Sequence, residues 1–187
     1  AERNRPLRLL LAGRLKRYKG LELRANALKL LGDLPLSLRI AGSPQDPGEI
    51  AALAAFPGVE LDLGWKTDRA LIAHLDWADA AILPYVEASQ SGVAPMSFSR
   101  ARAVIATPVG GLPEQIRDGE TGLIAAAVSP ESLAASIRRL AEERPLAHRL
   151  GEGALRHANT EISWQTLAPR FAAMLEAVAR KSRQPRG

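Results

Sequence analysis

The chain has 187 residues, 47% of them hydrophobic and 24% charged, and carries a net charge of +5. That length holds one ordinary domain with a sizeable core, and the composition excludes a disordered chain. There are no cysteines and no apolar run approaches the roughly 20 residues that cross a bilayer, which excludes disulfides, thiolate metal sites, cysteine nucleophiles and a membrane-spanning helix.

Short apolar runs alternate with longer helical stretches along the chain. LRLLLAG (7–13) is apolar apart from Arg8, as expected of a strand buried on both faces. The spacing predicts a helix over 21–31, stopped by Gly32 and Asp33, and a second strand over 36–42. A loop rich in Pro and Gly leads to a short helix, GEIAALAAF, and a third strand over 59–64. TDRALIAHLDWA reads as a helix capped by Thr67 or Asp68. AAILPY is the fourth strand, AVIATPV the fifth and TGLIAA a short sixth. Ser129 as cap, Pro130 at the first helical position and Glu131 in the first turn start a helix that Pro145 interrupts; another runs to about Ala158. The last helix, from Ser163, is amphipathic, with Trp164, Leu167, Phe171, Met174, Leu175 and Val178 at helical spacing. The order implies an α/β fold: a Rossmann-like parallel sheet of about six strands with helices on both faces, in a single domain over 1–187.

Ligands in such folds sit beyond the carboxyl ends of the strands, so the loops after Gly13, Gly42, Gly64, Tyr85 and Val109 hold the candidate residues. In GRLKRYKG, Arg14 and Lys19 stand five residues apart and both reach toward one anionic group beyond the sheet edge; a solvated basic loop is the plain alternative. EASQSGVAPM (87–96) is a small polar turn between strand and helix. Its Ser91 reads either as a helix cap or, with Gln90 and the N–H groups of Gly92 and Val93, as part of a phosphate cradle. In PVGGLPE, Gly110 and Gly111 allow a ligand close to the backbone, and Glu114 either faces that ligand or serves the helix dipole. Met96 and Phe98 belong to the core side of their helix. His74, His148 and His157 lie in helical stretches without partners at ligand spacing, and neither a paired-aspartate nor a His-Glu-x-x-His metal motif is present, so no metal site is expected. Positive residues cluster at both ends of the chain, yet aromatic content is only 4% and no nucleic-acid-binding signature is visible, so nucleic acid is not an expected partner.

Several stretches together resemble the carboxyl-terminal domain of family 4 glycosyltransferases, enzymes of the GT-B architecture. LLLAGRLKRYKG resembles the first strand and diphosphate-binding loop of that family, LSLRIAGSP the second strand, and LGWKTDRALIAHLDWADAAILPY the approach to the donor site. AVIATPVGGLPEQIRDGETGLIA is similar to a family signature, and SPESLAASIRRLAEERPLAHRLGEGAL and ISWQTLAPRF follow in the usual order. The resemblance implies a retaining, metal-independent transferase needing no cofactor beyond its nucleotide-diphosphate sugar. Arg14 and Lys19 match the pair that neutralises the diphosphate as the sugar leaves. The turns with Gly13, Gln90 to Val93, Gly110 and Gly111 would hold phosphate and sugar. The loop at Gly64 to Lys66 would lie by the nucleotide base, where Trp65 either stacks on the ring or packs. One departure stands out: two glutamates of the family pattern fall on Ala88 and Met96, leaving Glu87, one residue out of register, as a substitute for the first. Those missing acids keep open a non-catalytic nucleotide-binding module of the same fold.

The resemblance also implies that an acceptor (a glycan, a lipid-linked or a small molecule) is bound by an amino-terminal domain that this chain lacks. The terminal helix and basic tail (163–187) would pack on that domain. By itself the chain would then bind donor and transfer little. A cytoplasmic location, at the inner face of a membrane with which the full enzyme associates peripherally, accompanies this reading.

Overall fold

In β1 (Leu7–Ala12) every residue except Arg8 is buried, and the strand's period of two sends its side chains into two different cores. Leu7, Leu9 and Leu11 enter one layer; Leu10 and Ala12 enter the other. β4 (Ala80–Leu83) and β5 (Ala103–Ala106) are wholly buried and divide their residues in the same way, which is why the three sequences, Arg8 apart, are apolar without alternation. The computed structural model describes residues 5–45, 50 and 52–182, with backbone alone for 52, 181 and 182.

With β2 (Leu36–Gly42), β3 (Val59–Leu63) and β6 (Gly122–Ile124), the strands form one parallel sheet in the order β3-β2-β1-β4-β5-β6. Leu9 pairs with Ala80, so the order reverses between β1 and β4 and a crevice opens beyond their carboxyl ends. Helices cover both faces. α1 (Leu21–Leu31) and α5 (Pro130–Glu142) pack on the layer holding Leu9 and Leu11; α2 (Asp68–Trp77), α3 (Val93–Ser99) and α4 (Leu112–Gln115) pack on the other. α6 (Arg144–Thr160) serves both, with Leu146 and Leu150 in the first core and Ala154 in the second. α7 (Trp164–Ser182) closes the described chain.

β2 spans its predicted range, but the other strands stop one to three residues short of the predicted ends, because Gly13, Gly64 and the residues after Leu83, Ala106 and Ile124 already belong to turns. Thr67, not Asp68, caps α2: its Oγ1 accepts from Ala70 N at 3.2 Å. Ser129 caps α5 by accepting from Ser132 N at 3.2 Å. Pro145 sits in the first turn of α6, where its missing N–H costs nothing, so it starts that helix as well as ending the one before. Of the helix predicted at GEIAALAAF, Gly48, Glu49 and Ala51 lie outside the described residues, and Ala52–Ala55 form a 3-10 turn.

Candidate functional site at the carboxyl ends of β1 and β4

After Ala12 the chain turns through Gly13 and Arg14 and tightens into a 3-10 turn, Arg17–Lys19. Gly20 then adopts a left-handed φ of +66°, and a Cβ there would stand 1.8 Å from Pro84 O. Only glycine lets the loop settle this closely on the end of β4, and Val86 N donates to Tyr18 O at 2.8 Å across the same seam. The docking separates Arg14 from Lys19. Arg14 is exposed, while Lys19 is only 5% exposed, so the loop is not simply a solvated basic stretch.

Lys19 Nζ donates to Ala12 O at 3.0 Å and lies 4.9 Å from the centre of the Tyr85 ring. It also lies 3.1 Å from where a Cβ on Gly13 would stand, and Val93 approaches that same point at 4.0 Å. Among the described residues no carboxylate comes within ion-pair distance of it. Burial pushes the Lys19 pKa below its ordinary value; the Tyr18 phenol opposes this and the Arg14 charge adds to it. A carbonyl and a ring face hold the ammonium, and its charge remains uncompensated.

Tyr85 joins this cation to the polar turn. Its ring is buried and meets Tyr18 edge-on at 5.8 Å, and its hydroxyl lies 3.3 Å from Ser91 Oγ. Burial pushes the Tyr85 pKa up, and the Ser91 hydrogen bond offsets part of that. Ser91 is buried, and its Oγ accepts from Val93 N at 3.3 Å, but the N-cap residue of α3 is Gly92, so Ser91 acts one position earlier than a cap. Gln90 and Gly92 are exposed and Val93 half-buried. Glu87 is exposed; Ala88 and Met96, where acids were expected, are half-buried and pack against the second core.

Gly110 and Gly111 have a steric reason of their own. At φ +51° a Cβ on Gly110 would stand 1.4 Å from Ala88 O, and one on Gly111 would stand 2.3 Å from Ser89 O. Gly111 N donates to Ser89 O at 3.1 Å, so the turns after β4 and β5 touch backbone to backbone. Glu114 projects to solvent. Two strands from β1, Trp65 is 80% exposed at the end of β3, so it is not packed into the core of the described residues. Lys66 is tied down: its Nζ lies 2.6 Å from Asp62 Oδ1, and His74 Nε2 lies 2.9 Å from Asp62 Oδ2. Both partners hold the Asp62 carboxyl below its ordinary pKa, the Lys66 hydrogen bond most strongly. His148 is exposed beside Glu152 and His157 lies edge-on to Phe98 at 5.9 Å, so His148 is a surface residue while His74 and His157 have structural surroundings. Among the described residues no group of three or more His, Asp or Glu is placed to hold a metal ion, and no helix is long and apolar enough to cross a membrane.

The sequence reading passed over Tyr85, Thr107 and Gln115. Thr107 Oγ1 donates to Tyr85 O and fixes the strand end beneath the ring. Gln115 Oε1 accepts from Ser91 N at 2.8 Å and its Nε2 donates to Ser91 O at 3.3 Å. The available signal was a second long polar side chain directly after Glu114, on a short helix otherwise reading Leu-Pro.

A family model described as "Glycosyl transferases group 1" matches residues 6–143. A D-inositol 3-phosphate glycosyltransferase of Corynebacterium glutamicum is 30% identical over 182 residues, covering 91% of this chain and 43% of that enzyme. A glycogen synthase of Mycobacterium tuberculosis is 28% identical over 202 residues, covering 98% of this chain and 45% of its own length. The chain thus spans less than half of each of these relatives. In fold it is similar to sucrose-phosphate synthase from Thermosynechococcus elongatus (TM-score 0.77, 21% identity, 97% of this chain and 47% of that one). It is also similar to Anabaena HepE solved with UDP (TM-score 0.78, 16% identity, 93% and 49%). The chain belongs to the group 1 glycosyl transferases and has the fold of the carboxyl-terminal domain of a GT-B enzyme.

Proposed function

We propose that the chain is the donor-binding part of a retaining, metal-independent family 4 glycosyltransferase, which holds a nucleotide-diphosphate sugar and supports hexosyl transfer to an acceptor hydroxyl. Lys19 carries this reading. A buried ammonium without a carboxylate is costly to keep, and it stands in the crevice where parallel α/β sheets receive ligands. A diphosphate supplies the missing charge, with the exposed Arg14 closing on it from the solvent side. HepE, of the same fold, was solved with UDP-glucose.

On this reading the bond from the anomeric carbon to the diphosphate breaks as the acceptor oxygen bonds to the same face. The acceptor proton passes to the departing phosphate. Lys19 and Arg14 stabilise the negative charge that grows on the diphosphate, a contribution of several kcal/mol in preorganised sites. Gly13, Gln90, Ser91, Gly92 and Val93 border the phosphate; Gly110, Gly111 and Glu114 border the sugar. Trp65 stacks on the base, with Lys66 beside it, and Glu87 reaches the donor in place of the acid absent at Ala88. The leaving-group charge is met by side chains, so no metal or further cofactor is assigned. The apolar face of α7, with Phe171 56% and Val178 60% exposed, meets an amino-terminal domain that presents the acceptor. The assembled enzyme works in the cytoplasm, peripherally at the inner face of a membrane.

A second reading, a non-catalytic nucleotide-binding module, draws on Ala88 and Met96, which give the donor no carboxylate. Calorimetric titration of the chain with UDP-, GDP- and ADP-sugars tests the first reading. Saturable binding of one of them, lost on Lys19→Ala, is expected. Salt-sensitive binding of any polyanion without preference would overturn it. Donor hydrolysis or transfer by the chain joined to its amino-terminal part separates the enzyme from the inert module.

A further inference from the structure

The two turns that close the crevice are stitched into one unit, and Gln115 is the stitch that reaches Ser91. Its side-chain amide satisfies both backbone groups of Ser91, accepting from the N–H at 2.8 Å and donating to the C=O at 3.3 Å. Gly111 N→Ser89 O at 3.1 Å adds a third bond two residues upstream, at a seam where Gly110 would carry a Cβ 1.4 Å from Ala88 O. The Ser91 hydroxyl is engaged as well, by Val93 N and Tyr85 OH, each at 3.3 Å. Ser91 N–H and Val93 N–H are therefore both in use. Within the turn, the exposed Gly92 N–H, next to the clamped Ser91, has no acceptor among the described residues, and neither has the N–H of Gln90 on the other side of Ser91. Lys19 lies over the Tyr85 ring, its Nζ 4.9 Å from the ring centre.

Resting on the donor-site reading above, we propose that Gln115 is a positioning residue for the diphosphate. By clamping Ser91 it aims Gly92 N–H into the crevice that Lys19 lines, and it does so with a neutral group. A carboxylate at this position would still accept from Ser91 N–H, but it would lose the bond to Ser91 O and set a negative charge beside the anion. The neutral amide is thus a requirement of the ligand, whereas the fold alone would tolerate either group.

The test uses the intact 187-residue chain as wild type, Gln115→Ala and Gln115→Glu, titrated with UDP, ADP, GDP and inorganic pyrophosphate at two ionic strengths, with thermal melting run alongside. Gln115→Ala is expected to weaken nucleoside diphosphate and pyrophosphate binding by about tenfold, the size of one or two lost hydrogen bonds. Gln115→Glu is expected to weaken both further, with the extra deficit shrinking at high salt because repulsion is screened, while its melting temperature stays near wild type. Amide exchange adds a second readout: diphosphate should protect Gly92 in wild type and not in Gln115→Ala. If Gln115→Ala does not fold, Gln115→Glu decides alone, and pyrophosphate affinity equal to wild type at low salt overturns the proposal. Unchanged affinity in Gln115→Ala with Gly92 still protected also overturns it. Failure of wild type to bind any nucleoside diphosphate would instead sink the donor-site reading itself.

Discussion

Two groups of basic residues occupy opposite ends of the same parallel sheet, and they are handled in opposite ways. At the amino ends of the strands, Arg5 makes a two-pronged contact with Asp79 at 2.6 and 2.9 Å, Arg144 lies 3.6 Å from the same carboxylate, and Arg8 N donates to it at 2.9 Å. Midway along β2, Arg39 likewise stacks at 3.9 Å over Trp77 and bonds Glu60 at 2.8 Å. At the carboxyl ends, Lys19 is more deeply buried and has a carbonyl and a ring but no acid among the described residues. The amino-end cations are spent on architecture, tying β1, β4 and α6 together. The carboxyl-end cation is left for something the chain does not contain. Charge counts along a sequence do not separate the two cases; the partner does.

The sharpest way to break the comparison is at Lys19. Lys19→Met should cost about 10- to 100-fold in nucleoside diphosphate affinity, the worth of a hydrogen bond to a charged group, while leaving the melting temperature unchanged or raised. Loss of stability without loss of affinity would put Lys19 among the architectural cations. Arg24 sharpens the contrast from inside the core. The residue is 1% exposed, none of its three guanidinium nitrogens finds a partner among the described residues, and burial lowers its pKa to about 9. Arg24→Met should therefore stabilise the chain by roughly 1–4 kcal/mol, as replacing a buried ion by an apolar residue does, with nucleotide affinity unaltered. A fall in melting temperature would show that this arginine has a use of its own.

At the amino end, Asp79→Asn should destabilise by about 1 kcal/mol, since Arg5 is partly exposed and its pairing is screened. That corresponds to a fall of about 2–4 °C in a domain of this size, with no change in nucleotide binding. The smallest effect is one of pH. Folding lowers the Lys19 pKa, so the unfolded chain binds more protons between the depressed native value and the ordinary 10.5, and stability rises with pH across that window. A bound diphosphate restores the charge, so its affinity should fall as pH climbs through the same window. Arg24 adds a stability slope that begins at about 9, and comparing wild type with Lys19→Met isolates the part due to Lys19.

The strands could be read because their burial on two faces demands unbroken apolar runs, and Thr67 and Ser129 announced their helices because a cap is a local bond. The site was legible only as far as its parts were local. Arg14 and Lys19 look alike five residues apart; a tight turn and the docking of Gly20 on Pro84 bury one and expose the other. Ser91 and Gln115 are 24 residues apart, and nothing periodic connects them. Gly110 reads equally as an opening for a ligand or as relief for a neighbouring loop, and only the position of Ala88 O reveals the second role. Asp79 and Arg5, 74 residues apart, are invisible as a pair until the sheet is assembled.

α6 has a consequence for how the molecule comes apart. Leu146 and Leu150 are bound into one face of the sheet and Ala154 into the other. Either layer, in loosening, must release the helix that belongs also to its opposite. Melting followed by a probe on each face, Trp77 on one and amide exchange of Leu31 on the other, should therefore trace one coincident transition.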